Sequence, residues 1–226
     1  MYWQEQDEKD ADKVPERVVD MVFKLECRSV PLDHAWPLSQ AVAGALPWFA
    51  DEPQAGMHII HGADSGNGWN RPEGANEQVY LTRRSRLELR VPEHRLEDTR
   101  ALTGQTLDVA GNPMLIGEAT KRPLSKLTTL YSRYLRTDPE HSEEQFLALV
   151  QAELRQAGIR ARKMLPGRTN LLYHPEGDWF TRSLMIADLD TGDAITLQER
   201  GIGDGKKMGC GLFIPHKSIK NTEPKE

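Results

Sequence analysis

Residues 201–211 read Gly-Ile-Gly-Asp-Gly-Lys-Lys-Met-Gly-Cys-Gly and continue through Leu212-Phe-Ile-Pro215. Gly201, Gly203, Gly205, Gly209 and Gly211, with Lys206 and Lys207 among them, stand between a short helical stretch, 194–200, and a last strand, 211–216. Glycine lets backbone amides approach an anion closely and lysine adds charge, so the composition points to phosphate. An ordinary flexible turn is the plainer alternative. A P-loop is excluded, because no Ser or Thr follows the lysines and a helix, not a strand, precedes the glycines. A dinucleotide fingerprint is excluded because a strand follows where a helix should begin.

Upstream of this loop the second half of the chain alternates regularly. Residues 126–136 read as a strand. Ser142 to Gly158 reads as a helix, with Ser142 as N-cap, Gln145 three residues on, Gly158 as C-cap, and Phe146, Leu149, Val150 and Leu154 as its buried stripe. Residues 162–173 and 179–188 read as two strands joined by a turn around Pro175 and Gly177. The first half shows the same order. Met21, Phe23, Leu25 and Cys27 alternate with polar positions as a half-buried strand. Asp33 is placed to cap a helix over 35–49, and Met57 to His61 reads as a short strand. Gly62 to Asn76 reads as a loop, Val79 to Val91 as the strongest strand, Leu96 to Leu102 as a short helix, and a further strand begins at Met114. The expected fold is therefore α+β, two tandem ferredoxin-like βαββαβ domains spanning 19–120 and 121–217. An acidic extension (1–18) precedes them and a tail (218–226) follows.

The 226 residues suit one large domain or two of about 100 residues each. The net charge of -5 is unevenly spread: residues 1–16 hold six acidic and two basic side chains, a net of -4, which leaves -1 for the remainder. A near-neutral body can still present a basic face. The acidic head reads as a solvated extension. Two distant cysteines, Cys27 and Cys210, make neither a disulfide framework nor a metal clip, so a cytoplasmic setting is expected. No apolar run approaches the roughly 18 residues of a membrane span, and the N-terminus lacks the order of a secretory signal.

Four stretches carry a family resemblance. They are Pro31-Leu-Asp-His34-Ala-Trp36, Gly56-Met-His-Ile-Ile-His-Gly62, Leu81-Thr-Arg-Arg-Ser-Arg-Leu87, and Gly205-Lys-Lys-Met-Gly-Cys-Gly-Leu-Phe-Ile-Pro215. Together, over residues 19–217, the chain resembles the CRISPR-associated repeat-processing endoribonucleases of the RAMP superfamily, in the subtype first described with myxobacterial systems. It departs from them in Trp36, where an aromatic hydroxyl is usual, in the acidic head, and in a glycine-rich insert at 62–76. The resemblance implies an RRM-like tandem fold and a metal-independent endoribonuclease that cleaves CRISPR repeat RNA into guide RNA. The 2′-hydroxyl would attack the neighbouring phosphate, leaving a 2′,3′-cyclic phosphate and a 5′-hydroxyl. The implied partners are the repeat stem-loop and other subunits of a CRISPR surveillance complex. No cofactor and no metal is expected. The alternative is a non-catalytic RNA-binding subunit of such a complex, and a small-molecule phosphate enzyme built on 201–211 is a weaker one.

Such a reaction needs proton transfer and stabilisation of phosphorane charge. His34 is the first candidate for proton transfer, as the resemblance implies, since that family often places its catalytic histidine at the mouth of the first helix; a helix start also favours a neutral imidazole. His58 is the second. Strand alternation would point His58 and His61 to opposite faces, which argues against a shared metal. Lys206, Lys207, Arg83, Arg84 and Arg86 are candidates for phosphate contact. Arg162, Lys163 and Arg168, around the second unit's hairpin, suit the phosphates of an RNA stem. Tyr131, Tyr134 and Tyr173 read as packing residues.

Overall fold

β1 (Val18–Glu26) is the axis of the first unit. Val19, Met21, Phe23 and Leu25 fall on one face by the period-2 rule and are buried. In the computed structural model, which describes residues 14–62 and 77–216, that face packs on α1 (Ala35–Ala45) through Leu38, Val42 and Leu46. Residues 1–13 of the acidic extension, insert residues 63–76 and the tail from 217 lie outside the described residues.

β2 (Ser29–Pro31) and β4 (Gln78–Tyr80) form a small separate ladder. The first sheet has the order β3-β5-β1-β7-β6, with β3 at Gly56–Met57, β5 at Arg86–Pro92, β6 at Thr106–Val109 and β7 at Asn112–Pro123. α2 (Trp48–Asp51) precedes β3, and α3 (Leu96–Arg100) follows β5. The second unit comprises β8 (Leu130–Arg136), α4 (Glu143–Gln156), β9 (Lys163–Leu172), β10 (Trp179–Ala187), α5 (Thr191–Arg200) and β11 (Ile214–Pro215). Its sheet order is β11-β8-β10-β9, the fourth, first, third and second strands of a ferredoxin-like unit. The fold is thus a tandem of ferredoxin-like units. Among the described residues no helix is long and apolar enough to cross a membrane.

Several expected elements are altered for local reasons. The helix expected over 35–49 is cut at Pro47: Leu46, the residue before it, leaves the helical region at φ -126, ψ 83. Its N-cap is His34 rather than Asp33, and no side chain caps it. The long strand expected over 79–91 breaks at a turn closed by Ser85 N–H to Thr82 O, 3.0 Å. The strand expected over 57–61 ends at Met57. The expected helix in the second unit forms with its capping box, Ser142 and Gln145 serving each other.

The outward face of the first sheet is covered around Asp20. Asp20 sits opposite Arg90 of β5 and Arg122 of β7 in the ladder register. Arg90 is 1% exposed, and its Nε and Nη2 donate to the Asp20 carboxylate at 2.9 and 3.2 Å. Its Nη1 donates across to the second unit, to Gln198 O and Phe213 O, both at 2.9 Å. A second joint sets Trp36 of α1 edge-on to His174, centroids 4.5 Å apart, and stacks His174 on Trp179 at 4.9 Å. The Arg90→Met variant leaves a buried carboxylate short of its main partner and two carbonyls bare. It should lose about 3–5 kcal/mol, seen as a lower urea midpoint, and Asp20→Leu combined with Arg90→Met should recover part of that loss.

Candidate active site

A cleft of about 250 Å³ opens where the outward face of the first sheet meets β8 and the glycine-rich loop. His58 and His61 line it from the first unit, with Arg84, Arg86 and Glu88. Tyr131, Arg133, Tyr134, Gly209, Leu212 and Ile214 line it from the second. Because β3 stops at Met57, strand alternation does not carry on to residue 61. His58 and His61 therefore share this cleft instead of facing apart. His58 N–H still donates to Glu88 O at 2.9 Å, the last tie to β5 before the chain turns away.

The imidazoles differ in their surroundings. His61 Nε2 lies 3.3 Å from the Tyr134 hydroxyl, and the two rings stack at 6.0 Å with an interplanar angle of 10°. Burial, then Arg133, then His34 and His58, push His61 down to about 3. His61 is thus a neutral hydrogen-bonding group at neutral pH, and His34 and His58 are near enough for their charge to be felt there. His34 is 1% exposed and does not line the cleft. Its Nδ1 is 2.8 Å from Pro31 O. A carbonyl only accepts, so Nδ1 carries a proton. His58 Nε2 lies 3.5 Å from Asp20 Oδ1. Burial alone would raise the Asp20 carboxyl, but Arg90 and then His58 hold it well below the usual carboxylate range.

Asp20, His58 and Glu88 are the described residues whose ligand atoms come within 4.8 Å of one another, as a metal site requires. Their carboxylates are already engaged. Arg122 bridges Glu88 and Asp20, at 3.1 Å to Glu88 Oε1 and 3.1 Å to Asp20 Oδ2, and Arg90 chelates Asp20. A divalent cation placed there would face two guanidinium charges, so the cluster suits proton transfer better than metal binding.

The cations expected to meet phosphate divide into two groups. Arg84 and Arg86 line the cleft, while Arg83 is exposed on the turn and gives its carbonyl to Arg86 Nη1 at 2.7 Å. Lys206 and Lys207 do not line it. Lys206 Nζ donates to Pro53 O (2.8 Å) and Arg200 O (3.0 Å). Lys207 Nζ donates to Glu52 O and, at 2.8 Å, to Ala55 O, and sits 4.7 Å from the centre of the Phe49 ring. Burial, with Lys206 beside it, pushes Lys207 down to about 8.

Several loop amides are likewise committed to protein acceptors: Ile202 to Gly211 O, Gly203 to Glu153 Oε2, Met208 and Cys210 to Gly205 O, and Gly211 to Tyr134 O. The phosphate cradle expected at 201–211 is a joint between the units. Its glycines serve close packing. At Gly209 (φ +80) a Cβ would lie 2.6 Å from Ile59 Cγ1, and at Gly211 (φ +70) 2.0 Å from Ile202 O.

Arg162 and Lys163 stand away from the cleft and pair with acids, Asp190 at 4.0 Å and Asp188 at 2.7 Å. Lys163 and Arg168 lie on β9, at the edge of the second sheet. Sequence reading missed Asp20, Arg133 and the His61–Tyr134 pair as site residues. Only Asp20 left a trace, as a lone carboxylate inside the apolar run Val18-Val-Asp-Met-Val-Phe23.

Twin ferredoxin-like units thus close on a cleft of imidazoles and arginines. The chain belongs to the Cas6 family: the family model described as Cas6 Crispr matches residues 19–218. It is 26% identical over 197 residues to the CRISPR-associated endonuclease Cas6 of Myxococcus xanthus (strain DK1622), covering 87% of this chain and 81% of that protein. Among solved structures it is similar in fold to a CRISPR associated protein Cas6 (TM-score 0.60, 13% identity, 88% of this chain and 100% of that one). It is also similar to a RAMP protein binding different RNA substrates (TM-score 0.60, 12% identity, again 88% and 100%).

The displaced His61 titration has a measurable consequence. The unfolded chain takes up this proton near 6.5 and the folded chain only near about 3, so falling pH between those values favours unfolding. In proton NMR the His61 ring signals should not move between about pH 8 and pH 5, a range in which an ordinary histidine titrates. A midpoint near neutrality would contradict the buried, stacked placement.

Proposed function

We propose that this protein binds the stem-loop of a CRISPR repeat transcript and cuts it as a metal-independent endoribonuclease, producing guide RNA. The cleft carries the reading, since it sets imidazoles and guanidiniums together on the seam between two RRM-like units. Membership of the Cas6 family and the likeness to an endonuclease of that family support it.

RNA brings its own nucleophile, so the protein needs to hold the 2′-hydroxyl in line, move two protons and stabilise a doubly charged phosphorane. His58 is assigned one proton in the cleft, and His34, 1% exposed behind it, the other, on the condition that bound RNA opens the lining in front of it. Arg84, Arg86 and Arg133 are assigned the phosphate charge, in place of Lys206 and Lys207. Arg162, Lys163 and Arg168 are assigned to the stem, whose A-form shape is met chiefly through phosphates and 2′-hydroxyls.

The test is single-turnover cleavage of the repeat RNA from a neighbouring array, in chelator, with end-group analysis. The wild-type protein should yield a cyclic phosphate and a 5′-hydroxyl. RNA with 2′-deoxy at the nucleotide 5′ of the cut should bind but stay whole. His34→Ala and His58→Ala should each lower the rate about 100-fold or more while affinity changes by no more than about threefold. Tight binding with no cutting by the wild type would leave only the RNA-binding subunit reading. Cutting of the deoxy RNA would overturn the mechanism.

A further inference from the structure

We propose, on the reading of this protein as a binder of repeat RNA, that Tyr80 with Arg28 and Arg83 forms a second RNA site on the first unit, which takes unpaired strand flanking the repeat stem. Tyr80 closes β4 and is 68% exposed, the most exposed large apolar side chain of the described residues. Among those residues its ring has no aromatic neighbour and its hydroxyl no hydrogen-bond partner. The ring nevertheless stands on a fixed base. β4 pairs with β2, Tyr80 opposite Ser29 and Val79 opposite Val30, and both valines are buried in the core of the first unit. Leu81 N–H then donates to Arg28 O at 3.0 Å, which brings the Arg28 backbone alongside.

Beyond Leu81 the chain turns back towards the cleft. Thr82 N–H donates to Ser85 Oγ at 3.0 Å and Arg84 N–H to Thr82 Oγ1 at 3.1 Å. Arg86 Nη1 clamps the same turn through the carbonyls of Arg83 and Ser85, both at 2.7 Å. A turn tied in this way holds Arg83 out in solvent and Arg84 in the cleft wall. Tyr80 is four residues from Arg84, about 14 Å at full stretch, so the platform adjoins the cleft. The charge along it is unspent. Glu77 is the single acid of residues 77–86, against three arginines. Arg28 and Arg83 are exposed and have no ion pair among the described residues, whereas Lys24, Lys121 and Arg136 are matched by Glu118, Glu16 and Asp204. An exposed aromatic ring among free guanidiniums is the composition that holds single strands: the cations follow the phosphates and the ring takes the face of a base. Paired bases offer no free face, so the occupant is unpaired RNA and not the stem, whose contacts fall to the second unit.

Affinities are measured on RNAs made uncleavable by 2′-deoxy at the nucleotide 5′ of the cut. One is the stem-loop of the repeat from a neighbouring array, ending one nucleotide past the cut. The others extend it by about eight unpaired nucleotides at its 5′ or its 3′ end. Wild type should bind one extended RNA about tenfold tighter than the short one. Tyr80→Ala should lose most of that gain and Tyr80→Phe should keep it, with the short RNA bound alike by all three proteins. Arg83→Ala should weaken binding of the extended RNA and lower the slope of log affinity against log salt by about 0.7, one phosphate contact on a single strand. An abasic nucleotide walked along the extension should, at one position, cost wild type what Tyr80→Ala costs and cost that variant nothing further. The second site is overturned if neither extension tightens binding, if Tyr80→Ala weakens short and extended RNAs equally, or if every abasic loss simply adds to that of Tyr80→Ala. Because these RNAs cannot be cut, a failure of the cleavage reading leaves the result standing, whereas a wild-type protein that binds none of them overturns both.

Discussion

The buried pair of Asp20 and Arg90 governs the architecture. Two charges brought out of water are tolerated only when their hydrogen bonds are nearly complete. Here the guanidinium spends two donors on the carboxylate and a third on the backbone of the second unit, at Gln198 and Phe213. Ladder register makes this possible, because Asp20, Arg90 and Arg122 are direct cross-strand neighbours in the middle of the first sheet. Pulling the units apart would strip Arg90 of its two carbonyl acceptors and wet a carboxylate that also steadies His58. Stability and site geometry thus share the same few atoms.

How much of this can be read from the chain depends on the range of each interaction. Ser142 and Gln145 are three residues apart, and their capping box is visible in the sequence and present in the structure. The alternation of Met21, Phe23 and Leu25 gives the core face of β1 for the same reason, and the tandem ferredoxin-like plan follows from such local patterns. The same alternation consigns Asp20 to the outward face, where a solvated carboxylate is unremarkable. Only the second unit, arriving from residues 198 and 213, turns that face into an interior. The break at Pro47 is a local signal that a continuous helix over 35–49 ignores, and it shifts α2 rather than the site.

The candidate site was legible to a similar degree. His58 and the arginines of 84 and 86 are found in the cleft, beside or on β3 and β5, which pair with each other. His61 and Tyr134 are 73 residues apart and meet only through the docking of two sheets. The lysines of the terminal loop show the reverse error. A glycine-rich stretch with paired cations looks like an anion cradle until its ammoniums and several of its amides are traced to their acceptors, which here are carbonyls of residues 52, 53, 55, 134, 200, 205 and 211 and the carboxylate of Glu153. The positive φ at Gly209 and Gly211 permits close approach, but what approaches is Ile59 and Ile202.

The Arg90 contacts also bear on synthesis at the ribosome. A nascent chain that has emerged only as far as residue 197 already holds the carboxylate and the guanidinium but neither carbonyl that completes them. The wall of the cleft supplied by Gly209, Leu212 and Ile214 is missing as well. The acceptors that complete Arg90 thus lie 108 and 123 residues beyond it in the chain, and the cleft closes only when that later stretch docks.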